Sequence, residues 1–205
     1  YYAGTGNSGL WRTINGGVSW TCLTEPLRLP GLGIQAMSIN LNSITGNKDI
    51  YIATGIVSLA NYGIGILKSI DGGNTWQTTG ITYDPITNPN SYVAFSVKID
   101  PTNPNTVYAG VSDKLYKTVD GGVTWQTVFT LTKSRLFPGN STPCFDPVFC
   151  TDVTRNIVDI EFHPSNSQII YFSTNNMENA ANNCAANCGG ATLGSNGGAE
   201  LWKST

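Results

Sequence analysis

One eight-residue pattern occurs three times in this chain and limits what it can fold into: TINGGVSW at 13–20, SIDGGNTW at 69–76 and TVDGGVTW at 118–125. A further copy begins at Ser204. Each copy follows a strand-like segment, GLWR, GILK, KLYK or ELWK, in which an apolar residue precedes a basic one. The copies start 56, 49 and 86 residues apart, and self-similarity on that scale marks a repeat architecture.

A second segment recurs upstream of the first, as VKIDPTNPNTVYAGV at 97–111, IEFHPSNSQIIYFST at 160–174 and, more loosely, INLNSITGNKDIYIATG at 39–55. The opening YYAGTG matches its tail. Alternation and turn signals read each unit as strand, Pro/Asn turn, strand, variable loop, strand, Asp-Gly-Gly turn, strand. That is a four-stranded antiparallel meander, the blade of a β-propeller. The expected fold class is therefore all-β, with residues 1–205 forming part of one propeller: a partial blade at 1–24, blades at 35–82 and 92–131, and a partial blade at 156–205. The chain starts in mid-strand at Tyr1 and stops in mid-motif at Thr205, so an incomplete set of about four blades from a longer polypeptide is expected, the other blades being its nearest partners.

The residue types of the motif follow from the needs of a tight turn. An Asp carboxylate accepts backbone N–H groups that the reversal leaves unpaired, and successive glycines supply positive φ. A Ser or Thr two residues before the acid adds a local hydrogen bond. The closing Trp20, Trp76 or Trp125 returns the chain to the core, so burial between neighbouring blades is expected for each. Asn15 stands in the place of Asp71 and Asp120 and still has an acceptor oxygen, which predicts a weakened turn rather than a lost one.

These segments resemble the Asp-box, or BNR, repeat S/T-x-D-x-G-x-T-W found in sialidases, xyloglucan-specific endoglucanases, sortilin and the propeller-type photosystem II assembly factors. The resemblance implies a propeller scaffold in which Asp71 and Asp120 are structural and lie away from the active face. It implies no single activity, because many functions share the scaffold. A sialidase would carry an arginine triad and a Tyr/Glu nucleophile pair, and the four arginines here do not display one.

Strand order puts the Pro/Asn turns and the Asp-boxes on one face of the disc. The opposite face receives residues 21–34, 55–65, 80–92, 132–155 and 175–198, where all the length variation lies. Long loops on a rigid scaffold are where binding residues are commonly placed, although insertion alone also accounts for them. Within them Tyr62, Tyr83, Phe137 and Phe145 can stack on a sugar ring or a peptide, and Arg135 and Arg155 can hold a carboxylate. Asp84, Asp146, Asp152 and Glu178 are carboxylates there that could furnish a glycosidase pair.

Composition narrows the classes further. Charged residues are 12% of the chain and the net charge is −2, which leaves no basic footprint for nucleic acid and no membrane-surface patch, and no apolar run is long enough to span a bilayer. There is no phosphate loop, no Ser-His-Asp set and no metal-ligand cluster, so neither a cofactor nor a metal is expected. The lone His163 falls at the turn position held by Asp100 one unit earlier, which predicts a structural role. Of five cysteines, Cys144 with Cys150 and Cys184 with Cys188 form close pairs in Asn/Gly/Pro-rich sequence. Local disulfides in an oxidising compartment are the natural reading, with free thiols or a metal site as rivals. Cys22 is left over.

Two functional readings follow. The leading one is a non-catalytic extracellular or cell-surface module that binds glycan or protein through its long-loop face. The alternative is a glycoside hydrolase, xyloglucanase-like or sialidase-like, whose catalytic residues lie partly outside this sequence.

Overall fold

A computed structural model of the chain describes residues 1–28, 32–42, 46–55, 63–83, 93–131, 154–177 and 200–204, with backbone alone at 154, 155, 175–177 and 200. The described residues form four antiparallel sheets. The first holds β1 (Tyr2–Gly4), β2 (Leu10–Arg12) and β3 (Thr21–Cys22). The second holds β4 (Ile34–Leu41), β5 (Lys48–Thr54), β6 (Gly65–Ser69) and β7 (Gln77–Thr82). In the third are β8 (Ala94–Ile99), β9 (Val107–Val111), β10 (Lys114–Thr118) and β11 (Gln126–Thr130). The fourth contains β12 (Thr154–His163), β13 (Asn166–Met177) and β14 (Glu200–Lys203). Within every sheet the strands lie side by side in chain order, which is the expected meander. Among the described residues the one helical turn is a 3-10 turn at Glu25–Leu27.

The sheets stack through their faces, and the two-residue period of a strand lets one strand serve two interfaces. In β5, Ile50 and Ile52 pack with Leu10, Leu23 and Leu67 toward the first sheet. The alternate residues Tyr51 and Ala53 pack with Val97, Val107 and Ala109 of the third. One repeat later Tyr108 points the other way from Val107 and joins Ile160, Ile170 and Phe172 of the fourth sheet. This is why β5 and β9 read as near-continuous apolar runs whereas β7 and β11, at the sheet edge, are largely exposed. Full burial of each such aliphatic side chain stabilises by about 1.5–3 kcal/mol.

The first strands of successive sheets also meet. The Ile99 N–H donates to Ser38 Oγ at 3.0 Å, and Lys98 Nζ lies 2.6 Å from Glu161 Oε1. Between the third and fourth sheets the backbones come close at Gly110, where an added Cβ would stand 2.4 Å from both the Ile157 carbonyl oxygen and Ser96 Oγ.

One expectation needs correction. Trp76 packs half-buried against the first sheet and Trp125 half-buried against the second, but Trp20 is 42% exposed. Each half-buried indole leans on the sheet that precedes its own, and Trp20 Nε1 donates to the Gly17 carbonyl of its own turn at 3.2 Å.

Candidate functional site

The recurring turns are built from bonds spanning at most four residues. Thr118 Oγ1 donates to Asp120 Oδ1 at 2.7 Å and accepts the Gly122 N–H at 3.0 Å. The Asp120 carboxylate accepts the N–H of Val123 at 3.0 Å, the N–H of Thr124 at 2.9 Å and the Thr124 hydroxyl at 2.5 Å. Ser69, Asp71, Gly73 and Thr75 repeat the pattern. Gly121 and Gly122 sit at φ 72° and 95°, conformations that a Cβ disfavours.

Such bonds stabilise the ionised acid. At Asp71 slight burial opposes ionisation, but the hydroxyl and N–H of Thr75, the Ser69 hydroxyl and the Asn74 backbone outweigh it and hold the carboxyl at about 2. The Thr124 hydroxyl and N–H, then the Thr118 hydroxyl, hold Asp120 well below the usual carboxylate range. Neither acid is disposed to carry a proton at neutral pH. In the first turn Asn15 Oδ1 accepts the Thr13 hydroxyl at 2.9 Å and the Ser19 N–H at 3.0 Å, while its amide donates to Ser19 Oγ at 2.8 Å. The amide thus keeps the frame with fewer incoming bonds.

Sequence reasoning missed the way these turns are held from outside. Tyr51 Oη donates to the Gly121 carbonyl at 2.8 Å, and Lys68 Nζ donates to the same oxygen at 3.0 Å. One sheet earlier, Tyr2 Oη and Arg12 Nη1 donate to the Gly72 carbonyl at 3.3 and 3.2 Å. A tyrosine and a base from one sheet thus grip the turn of the next. Burial, with Asp49 and Asp120 adding to it, pushes the Tyr51 hydroxyl well above the ordinary phenol value, so it stays a donor. The signal was present in the repeats as a recurring Tyr and a recurring base.

An open cleft of about 380 Å3 lies between the first strands β4, β8 and β12, lined by Met37, Asn40, Lys98, Pro101, Glu161 and His163 among others. Ser38, Lys98 and Glu161 occupy equivalent places, each directly opposite the recurring tyrosine of the next strand, Tyr51, Tyr108 or Tyr171. The ion pair opposes the charges of Lys98 and Glu161 across the cleft. His163 Nδ1 accepts the Ser165 N–H at 3.2 Å, just as Asp100 Oδ1 accepts the Thr102 N–H at 2.8 Å. This is the structural turn role expected of His163. Pro101 and Pro164 place the cleft at the Pro-turn end, away from the long loops.

Of the residues singled out as candidate ligand contacts, Tyr62, Arg135, Phe145, Asp146, Asp152 and Glu178 lie outside the described residues, as do Phe137, Asp84 and the four paired cysteines Cys144, Cys150, Cys184 and Cys188. Tyr83 is described: its ring packs half-buried on the core between the second and third sheets, and its N–H donates to the Ile64 carbonyl at 2.9 Å. The Arg155 backbone pairs with Asn176 in the fourth sheet. Among the described residues Cys22 has no disulfide partner, and its Sγ lies 3.6 Å from the Ser8 carbonyl oxygen. No group of three or more potential metal ligands occurs among the described residues.

Comparison with family models and with curated proteins gives no match. Among solved structures the chain is similar to an ancestral GH74 enzyme, with TM-score 0.55 and 23% identity over 86% of this chain and 20% of that one. The GH74 xyloglucanase from Xanthomonas campestris aligns at 15% identity and TM-score 0.32, covering 85% of this chain and 34% of that one. YCF48 from Cyanidioschyzon merolae aligns at 19% identity and TM-score 0.27, covering 84% and 61%. The first likeness establishes the fold, an all-β repeat of the propeller type. The chain spans about a fifth of the length of the ancestral enzyme.

Proposed function

We propose that this chain is part of a secreted, non-catalytic propeller module that binds glycan through the end of the sheets opposite its Asp-box turns. The observation that supports this is the direction of the strands. Strands β5, β7, β11 and β13 end, and β6, β8, β12 and β14 begin, at that one end, and the sequence between them contains most of the length variation of the repeat. Their aromatic residues Tyr62, Phe137 and Phe145 suit the faces of sugar rings, and Arg135 suits an acidic group on them. Secretion is part of the same reading, because the close pairs Cys144/Cys150 and Cys184/Cys188 fit local disulfides.

An oligosaccharide array probed with the chain, run beside a reducing-end assay on the same sugars, tests the proposal. Binding is expected, weakened up to about tenfold by Tyr62→Ala or Phe145→Ala, with no sugar released. Sugar release lost on Asp146→Asn or Asp152→Asn would replace the module by a glycoside hydrolase. Binding to proteins but to no sugar would reject the glycan.

A further inference from the structure

The first strands β4, β8 and β12 all depart from strict alternation at the same place. Pairing with the next strand slips between Ile34 and Ala36, between Ala94 and Ser96, and between Ile157 and Asp159, so each strand carries one extra residue in a β-bulge. The packing takes the same step. Ile34 and Met37 join the core facing the first sheet, Ala94 and Val97 the core facing the second, and Ile157 and Ile160 the core facing the third, although each pair is three residues apart. A regular strand would put residues two or four apart on one face.

Within these intervals Ala36 packs toward the third sheet, and Ser96 Oγ donates to the Ile157 carbonyl of the fourth at 3.1 Å. Gln35, Phe95 and Val158 are left over, and none of them belongs to a core cluster. Gln35 is exposed, Phe95 and Val158 are partly exposed, and among the described residues the Gln35 amide has no hydrogen-bond partner. Beside Val158, Asp159 is exposed and its Oδ1 accepts the Ile160 N–H at 2.9 Å. The bulges adjoin one another, since Ala36 and Ala94 share one core cluster and the Ser96–Ile157 bond joins the next two strands. They lie near the starts of three strands that stand at the edges of their sheets, at the end opposite the Asp-box turns.

We propose that Gln35, Phe95 and Asp159, presented by these bulges, form a subsite for one neutral sugar residue. A bulge on a sheet edge re-aims a side chain that alternation would have committed to one face, and here it frees an aromatic ring, an amide and a carboxylate on adjacent strands. The Phe95 ring takes a face of the sugar, the Gln35 amide exchanges hydrogen bonds with its hydroxyls, and the Asp159 carboxylate accepts another. This subsite rests on the glycan-binding reading of the same end of the sheets, and it moves part of the recognition from loops to strands, which hold side chains more precisely. Its charge sets the specificity. Among the described residues no cation is paired with Asp159, so the carboxylate accepts hydroxyl groups and repels an acidic sugar.

The probes are cellotetraose, maltotetraose and mannotetraose, with tetragalacturonic acid as the acidic counterpart, each titrated calorimetrically into the full chain. At least one neutral sugar should bind, and more tightly than the acid. Phe95→Ala should weaken that binding about threefold to tenfold, and Phe95→Trp, which keeps a ring face, should retain it. Gln35→Ala, at an exposed position, should weaken binding by about threefold without moving the thermal melt. Asp159→Asn keeps an acceptor for the Ile160 N–H but loses the charge, so it should narrow the preference for the neutral sugar over the acid by about threefold. Unchanged affinity in Phe95→Ala and Gln35→Ala, with binding still weakened by Tyr62→Ala or Phe145→Ala, would overturn the subsite and leave the glycan reading standing. Failure of all three neutral sugars to bind the unmodified chain would also overturn the subsite, and a blank oligosaccharide array would remove the glycan reading with it.

Discussion

Tyr51 donates its hydroxyl to the carbonyl of Gly121, 2.8 Å away and 70 residues further along the chain. The bond joins the second strand of one sheet to the turn of the next, and Lys68 shares the same acceptor. Lateral packing alone would leave neighbouring sheets free to slide along their apolar faces. A directional bond to one carbonyl fixes the register between them.

Tyr51→Phe should therefore destabilise the chain by about 1 kcal/mol, the net worth of a buried neutral hydrogen bond whose acceptor keeps a second donor. The urea midpoint should fall with the slope unchanged. Adding Lys68→Met should cost more than the sum of the single changes, because the carbonyl then loses both partners. Strict additivity in that cycle would show that the two donors act independently.

Acid should loosen the turns. The folded-state carboxyl of Asp71 sits at about 2, below its ordinary 3.8, and a depressed carboxylate contributes stability that is present above the unfolded value. That contribution is lost as pH falls from about 4 toward about 2, with Asp120 acting in the same direction. Because both acids face solvent, screening keeps the effect modest. Urea midpoints measured across this range should decline less steeply for Asp71→Asn than for the unmodified chain. Parallel declines would count against the turn as the origin.

Gly110→Ala should destabilise by about 1–3 kcal/mol through overpacking, since the new methyl meets the Ile157 carbonyl oxygen and Ser96 Oγ at 2.4 Å. Thermal unfolding checks it, with Gly16→Ala as the contrast. An added Cβ at Gly16 meets nothing within 4 Å, so its cost is only that of a positive φ of 71°. A milder effect at Gly110 than at Gly16 would mean that the third and fourth sheets part more easily than their packing implies.

The turns and the meander were legible in the sequence for a simple reason. The hydroxyl, the Asp or Asn side chain and the second glycine's N–H of each turn are met within five residues, so residue identity and spacing carry nearly all of the information. Candidate ligand residues were harder. Tyr83 read as a loop aromatic, yet its ring packs half-buried on the core between two sheets, and a run of letters does not show which side of a loop anchor faces inward.

By itself the sequence determined the all-β class, the order of the strands and the chemistry of every turn, because these depend on contacts between near neighbours. Only the tertiary structure decided that Tyr51 and Lys68 would meet Gly121, that Lys98 would face Glu161, and that Trp76 would lean on the first sheet and Trp125 on the second. Those outcomes depend on which sheet stands beside which. Similar motifs therefore end in different surroundings, and the difference lies in the neighbour each one has to pack against.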